Sequence, residues 1–234
     1  MQTARDKEIV CWLGHIGAAG AEDVMGWFGM GRSWAYARLS RLVRDGLLEH
    51  RMLLYRQSGL YAATAEGLRW CGLERLGVYR VGPGGFVHAR QLASHAVALH
   101  RGFAGCELLS ERDIRAAESE RPELVASAQV GALPGGRLAL HRPDLALITP
   151  GGRVFAIEVE LSVKAPRRLA AICRGYARAR HISHVYYFAT GAPARAVSRA
   201  VNDLRAQDRI TVLALCDVAE LVRAERQEVG NDRV

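Results

Sequence analysis

Two apolar runs constrain this chain more than anything else in it. Asp144-Leu145-Ala146-Leu147-Ile148 and Val154-Phe155-Ala156-Ile157-Glu158-Val159-Glu160-Leu161 flank the turn Thr149-Pro150-Gly151-Gly152. Short apolar runs bounded by turn residues read as strands of a buried sheet. Side chains alternate along a strand, so Glu158 and Glu160 share a face. Two carboxylates in an apolar strand carry a large desolvation cost, which a divalent cation would offset. Asp144 opens the neighbouring strand and offers a third oxygen ligand. Lys164 follows where an ammonium could steady a nucleophile or a scissile phosphate. A structural ion-pair network with Arg142, Arg167 and Arg168 would neutralise the same acids without any metal.

The elements around these strands predict a mixed sheet with helices packed against it. Val87–Phe103 reads as a helix, Cys106–Ser110 as a short strand and Glu111–Ala139 as irregular, with a helical part left open. Pro166 suits the first turn of a helix reaching Arg180. Val185–Ala189 and Ile210–Leu215 read as strands, Ala194–Ala206 and Val218–Arg226 as helices. The order is α-β-β-β-α-β-α-β.

The N-terminal third has a different character. Arg5–Ile16, Ala21–Phe28 and Arg32–Asp45 read as three helices, the last closed by Gly46. Leu47–Tyr55 and Leu60–Ala63 read as a hairpin, and Thr64 caps a helix through Arg75. Three helices followed by a two-stranded wing is a DNA-docking unit whose third helix enters the major groove. On that helix Ala35, Leu39, Leu42 and Val43 face inward. Ser33, Ala37, Ser40 and Arg44 face outward, with Arg38 and Arg41 flanking them. The predicted DNA contacts here are Arg32, Ser33, Arg38, Arg41, Arg44 and, on the wing, Arg56. Arg51 and Gln57 also lie on the wing. Leu53 and Tyr55 are expected to pin the hairpin, and Trp34 and Tyr36 to pack. The same module can instead dock proteins, its Arg residues then only solvating a face.

Charge points the same way. The formal net charge of +8 favours a polyanionic partner. Nearly all of the positive charge is Arg, which makes bidentate contacts to phosphate and guanine, although an Arg-rich genome would produce the same bias. Arg167, Arg174 and Arg178 form a basic stripe on the helix after the acids, able to track a phosphate backbone or merely to solvate the face. The five cysteines are scattered and form no CxxC pair, which fits a reducing, cytoplasmic setting. His181 and His184 are not expected to bind zinc, and no P-loop or dinucleotide fingerprint is present. No segment reads as a signal peptide or membrane span. Gly77–Gly85 breaks periodicity, giving expected domains over 1–77 and 87–234 with a linker at 78–86.

Pro143-Asp144, a spacer and Glu158-Val159-Glu160 resemble the PD-(D/E)XK nucleases. That resemblance implies a restriction-endonuclease-like α-β-β-β-α-β core, an α+β or α/β fold behind a winged helix-turn-helix. It implies Mg2+ or Mn2+ held by Asp144, Glu158 and Glu160, with water activated for attack on a phosphodiester. The triplet departs from the pattern, because Glu160 stands where the lysine is usual. Lys164 is the candidate for the migrated lysine, making Asp144, Glu158, Glu160 and Lys164 the catalytic set, with Glu111 a further acid. Adding Ser94-His95, Leu109-Ser110-Glu111-Arg112, Arg142-Pro143-Asp144 and Arg174-Gly175-Tyr176, the chain resembles the replication-relaxation family over about Val10 to Leu215. This resemblance implies a role in plasmid or mobile-element replication or mobilisation. Double-stranded DNA is the expected partner, with relaxosome or replication proteins and a second copy of the chain as further candidates. The two leading functions are a metal-dependent DNA endonuclease or nickase and a non-cleaving DNA-binding regulator or relaxosome accessory protein. A protein-interaction module is the third.

Overall fold

A computed structural model describes residues 2–120, 123–219 and 221. The chain is a mixed α+β protein that divides into two compact units, Met1–Val97 and Ala98–Val234. Among the described residues no helix is long and apolar enough to cross a membrane.

The first unit holds α1 (Ala4–Ile16), β1 (Ala18–Ala19), α2 (Ala21–Phe28), α3 (Arg32–Arg44), β2 (Leu48–Arg51), β3 (Leu60–Ala63) and α4 (Ala65–Cys71). The strands form one antiparallel sheet in the order β1-β3-β2. Thr3 caps α1 by accepting from the Asp6 amide, while Asp6 reaches back to the Thr3 amide. This reciprocal pairing satisfies two donors that a helix start otherwise leaves open. Thr64 caps α4 by accepting from the Gly67 amide alone, since residue 67 has no side chain to reach back.

Asp6 does more than cap. It is fully buried, and Arg38 and Arg41 of α3 both close on its carboxylate, Arg38 at 2.7 Å. The sequence assigned these two arginines to DNA. In the folded unit their guanidinium groups are instead bound to a buried acid that locks α3 to the start of α1. Burial pushes the Asp6 carboxyl up, but its bonds to Thr3 and the two guanidinium groups outweigh burial and hold its pKa below the usual aspartate value.

The segment expected as a linker is packed. Val81 and Phe86 are buried with Ala18, Leu60, Ala62 and Ala89. Two large apolar side chains at 81 and 86 cannot leave this core without exposing their area. The unit therefore runs on into α5 (Phe86–Gly102), and the division falls within that helix.

The second unit is built on a five-stranded sheet in the order β10-β9-β8-β7-β4. These strands are β4 (Glu107–Ser110), β7 (Leu145–Ile148), β8 (Val154–Glu160), β9 (His184–Ala189) and β10 (Ile210–Leu213). β4, β7 and β8 pair antiparallel, and β8, β9 and β10 pair parallel. The parallel pairs are joined through α7 (Pro166–Arg178) and α8 (Gly191–Asp203), the crossover that parallel neighbours require. α7 and α8 cover one face of the sheet, with Leu169, Ile172, Cys173, Tyr176, Val197 and Val201 meeting Ala156, Val185, Tyr187 and Ile210.

The region read as irregular with a helical part holds a helix and, unmarked by the sequence, a hairpin. It contains α6 (Glu111–Glu120) and a hairpin of β5 (Ala128–Ala132) and β6 (Leu138–His141), turned at Pro134–Gly136. Both strands are short, interrupted by Gly131 and by the Pro134–Gly136 turn, and neither is buried along its length. β5 packs against α7, and the contact is close: a Cβ at Gly175 would lie 2.7 Å from the Gln129 carbonyl oxygen. The closing helix expected over Val218–Arg226 lies largely outside the described residues.

All four tryptophans, Trp12, Trp27, Trp34 and Trp70, fall in the first unit, so indole fluorescence reports its unfolding alone. Asp6→Asn is expected to lower that unit's stability by about 2 kcal/mol, less than for a fully enclosed pair because both guanidinium groups keep some solvent. A carboxylate with a lowered folded pKa stabilises above its unfolded value and loses this contribution as pH falls through the folded value. The wild-type advantage over Asp6→Asn in urea titrations is therefore expected at neutral pH and should vanish in strong acid.

Candidate functional site: a carboxylate cluster and an exposed helix face

In β8 the residues Ala156, Glu158 and Glu160 point to one side of the sheet. Ala156 packs into the core beneath α7, so the two carboxylates face that helix as well. Both are buried, at 2% and 4% exposure. The antiparallel register that pairs Leu145 with Ile157 sets Asp144 opposite Glu158. The Asp144 carboxylate accepts from the Val159 amide at 2.8 Å, which holds it beside the Glu158–Glu160 strand. The four residues assigned from sequence, Asp144, Glu158, Glu160 and Lys164, thus gather at one end of β7 and β8.

Each buried glutamate has protein partners. Glu158 Oε1 is bound by His141 Nε2 at 2.7 Å and accepts from the Tyr176 hydroxyl at 2.5 Å. Lys164 donates to Glu160 Oε2, four residues back along the chain. Lys164 is one of only two lysines in the protein, the other being Lys7. Its ammonium lies against Glu160, the last residue of the Glu158-Val159-Glu160 run. The arginines named as neutralisers do not take that role. Arg142 pairs with Glu118 at 3.3 Å, and among the described residues no ion pair is recorded for Arg167 or Arg168.

His141 and Tyr176 were not singled out in the sequence. His141 ends β6, a strand the sequence hides, and its ring meets Tyr176 edge-on at 5.7 Å. Burial disfavours the His141 imidazolium, but the adjacent Glu158 carboxylate prevails and its pKa stands above the ordinary histidine value. Burial, and then Glu158, push the Tyr176 phenol well above its usual pKa, so it stays neutral and donates. Tyr187, opposite Glu158 on β9, is raised for the same reasons. Burial pushes the neighbouring Cys173 thiol up to about 11.

Two other acids are placed differently from expectation. Glu111 joins the cluster by its backbone only: its amide donates to the Asp144 carbonyl at 3.0 Å, while its side chain pairs with Arg115. Glu118, which no sequence signal marked, accepts from the amides of Val125, Ala126 and Ser127 and from the Ser127 hydroxyl. It organises the chain leading into β5. His181 and His184 bond separately, to the Ser127 carbonyl and the Thr211 hydroxyl, and do not form a pair.

Oxygen ligands of this kind suit magnesium or manganese. Among the described residues, however, no three His, Cys, Asp or Glu side chains form a metal-binding group. The desolvation cost that the sequence assigned to a cation is met here by His141, Tyr176, Lys164 and the Val159 amide.

The first unit presents its own surface. On α3, Arg32, Ser33, Ala37, Ser40 and Arg44 are exposed, as the helical pattern predicted. Trp34 is 68% exposed, with the Arg38 guanidinium over its ring, so it does not pack as expected. Tyr55 is 87% exposed and does not pin the hairpin, whereas Leu53 does pack inward. The strand expected to reach Tyr55 ends at Arg51, leaving Tyr55 and Arg56 in the connecting loop with Arg56 stacked on the Tyr55 ring. Arg56 adopts a left-handed backbone, φ 57°, unusual for a residue with a side chain.

No protein-family model, curated protein or solved structure matches this chain.

Tyr176→Phe keeps the packing and removes one donor from a buried carboxylate. It is expected to destabilise the second unit by about 2 kcal/mol. The loss should be read as faster hydrogen exchange in β8 and β9, with tryptophan-monitored unfolding of the first unit unchanged.

Proposed function

We propose that this chain is a DNA-binding protein of plasmid or mobile-element replication or mobilisation, whose second unit hydrolyses phosphodiesters with a divalent metal. The single observation that carries the reading is the delivery of the Lys164 ammonium to Glu160, beside the Asp144–Glu158 pair. The sequence breaks the nuclease triplet at residue 160, and the Lys164–Glu160 ion pair supports a lysine acting there from outside the triplet. The likeness of the sequence motifs to the replication-relaxation family supplies the biological setting.

On this reading Asp144, Glu158 and Glu160 would hold magnesium or manganese, which supplies a Lewis acid and an activated water. The chain's own residues do the positioning. His141 and Tyr176 fix the orientation of Glu158 from two sides. The Val159 amide fixes Asp144. Lys164 brings positive charge to where a scissile phosphate or its attacking water would sit. The covering helix α7 keeps bulk water from the buried carboxylates, which strengthens each of these interactions.

Duplex DNA binding is assigned to the exposed face of α3 and to the loop carrying Tyr55 and Arg56. Arg32, Ser33 and Arg44 are the contacts best placed for it. Arg38 and Arg41 serve it indirectly, by holding α3 in position through Asp6. The Arg56 guanidinium beside the exposed Tyr55 ring can meet phosphate while the ring stacks on a base.

A second reading has its own support. Every carboxylate of the cluster is already bound to a protein donor, which is what a degenerate nuclease fold that binds DNA without cutting it would show. Nicking of supercoiled plasmid separates the two. The first reading expects nicking with magnesium, its loss in EDTA and its loss in Glu158→Ala; nicking retained by Glu158→Ala removes the assigned site. The second expects binding that EDTA does not change and no nicking at all. Under either reading, Arg32→Ala and Arg44→Ala are each expected to weaken duplex binding and reduce the salt slope by about 1.

A further inference from the structure

The second unit contains a groove of about 640 Å3 that no part of the carboxylate cluster lines. One wall is the α7 stripe carrying Arg174 and Arg178, the other is the β5 backbone at Gln129–Gly131, and Arg180 and His181 close one end. We infer that this groove is a binding site for the sugar-phosphate backbone of single-stranded DNA. The inference extends the DNA-binding reading of the preceding section, but it needs neither the metal nor the first unit.

Charge is the first argument. Arg174, Arg178 and Arg180 are exposed, and among the described residues no acid lines the groove and none of the three makes an ion pair. Three uncompensated guanidinium groups around a concavity focus positive potential into it. A solvated helix face needs no such concavity and is commonly laced with acids four residues away. Here α7 carries no acid between Pro166 and Arg178.

Shape is the second. Arg174 and Arg178 lie one helical turn apart on the same side of α7, rising about 6 Å along the axis. The cations are therefore strung along a line rather than gathered around one point, an arrangement that suits a linear polyanion better than a single phosphate. The groove is walled on two sides, so it receives one strand, whereas a duplex carries its phosphates on a convex rod and would touch only the rim.

Rigidity is the third. The close approach at Gly175 seats α7 directly on the β5 backbone, since any side chain there would collide with the Gln129 carbonyl. The groove floor is thus backbone against helix, fixed before a ligand arrives. At its end the exposed His181 ring is held by Nε2–H donating to the Ser127 carbonyl at 3.0 Å. A held, exposed aromatic ring offers a face on which an unpaired base can stack.

The test is fluorescence anisotropy of the full chain with a labelled oligothymidylate, in EDTA, across a salt series. The comparison is with the triple variant Arg174→Gln, Arg178→Gln, Arg180→Gln, whose changes are all at exposed positions. Three phosphate contacts to a single strand contribute about 0.7 each to the salt slope. The variant's slope should be shallower by about 2, with affinity at low salt reduced at least about tenfold. Its binding to duplex DNA should be unchanged, while Arg32→Ala with Arg44→Ala should lose duplex binding and keep the oligothymidylate. A wild-type chain that does not bind oligothymidylate overturns the inference, as does a triple variant with unaltered affinity and slope. Loss of duplex binding alone, or an absence of nicking, counts against the preceding section and leaves the groove standing.

Discussion

Everything in the second unit is arranged around one buried negative charge. Glu158 lies in a strand with neighbours on both sides and beneath a helix, where an unpartnered carboxylate would be untenable. His141 and Tyr176 share its Oε1, and the two come from different elements, the end of β6 and the middle of α7. The bond thereby fixes the surface hairpin and the covering helix to the centre of the sheet. Glu160 with Lys164, and Asp144 with the Val159 amide, repeat the device one step further out. Removing one member of such a set leaves a desolvated group behind, so the network is more demanding than its individual bonds suggest.

The first unit solves a similar problem with the opposite accounting of charge. Asp6 begins as a helix cap and ends as the counter-ion of two arginines from α3. That choice divides the arginines of α3 into two kinds. Arg38 and Arg41 are committed to the fold, and Arg32 and Arg44 remain at the surface. The aromatic side chains divide in the same way: Trp12 stacks with Trp27 at 5.0 Å inside the unit, while Trp34 and Tyr55 stand in solvent beside arginines.

The helices and core strands were legible because their periodicity is strong. Ala21–Phe28 and Leu60–Ala63 fall where the pattern put them, and the element order about the central sheet follows from its apolar runs. The shared face of Glu158 and Glu160 followed from strand alternation alone. What escaped is equally specific. β5 and β6 are short and broken by Gly131 and the Pro134–Gly136 turn, so neither period stands out from loop sequence. His141 was hidden with them. The strand expected to reach Tyr55 ends four residues early because the returning strand starts only at Leu60, opposite Arg51. Val81 and Phe86 sit among glycines and read as linker, although their side chains complete the core of the first unit.

Local sequence determined where helices and strands start, which strand faces are apolar, and that acids and a lysine occur close together along the chain. These depend on neighbours within a turn or a strand, and the side-chain spacing carries that information. Tertiary structure alone decided who partners each charge. Asp6 is thirty-two residues from Arg38 and Glu158 is eighteen from Tyr176, distances at which no period operates. Whether an arginine meets DNA or a buried acid, and whether a glutamate meets a cation or a histidine, is settled by which surfaces the core brings together, since a buried charge takes the partner that packing delivers to it.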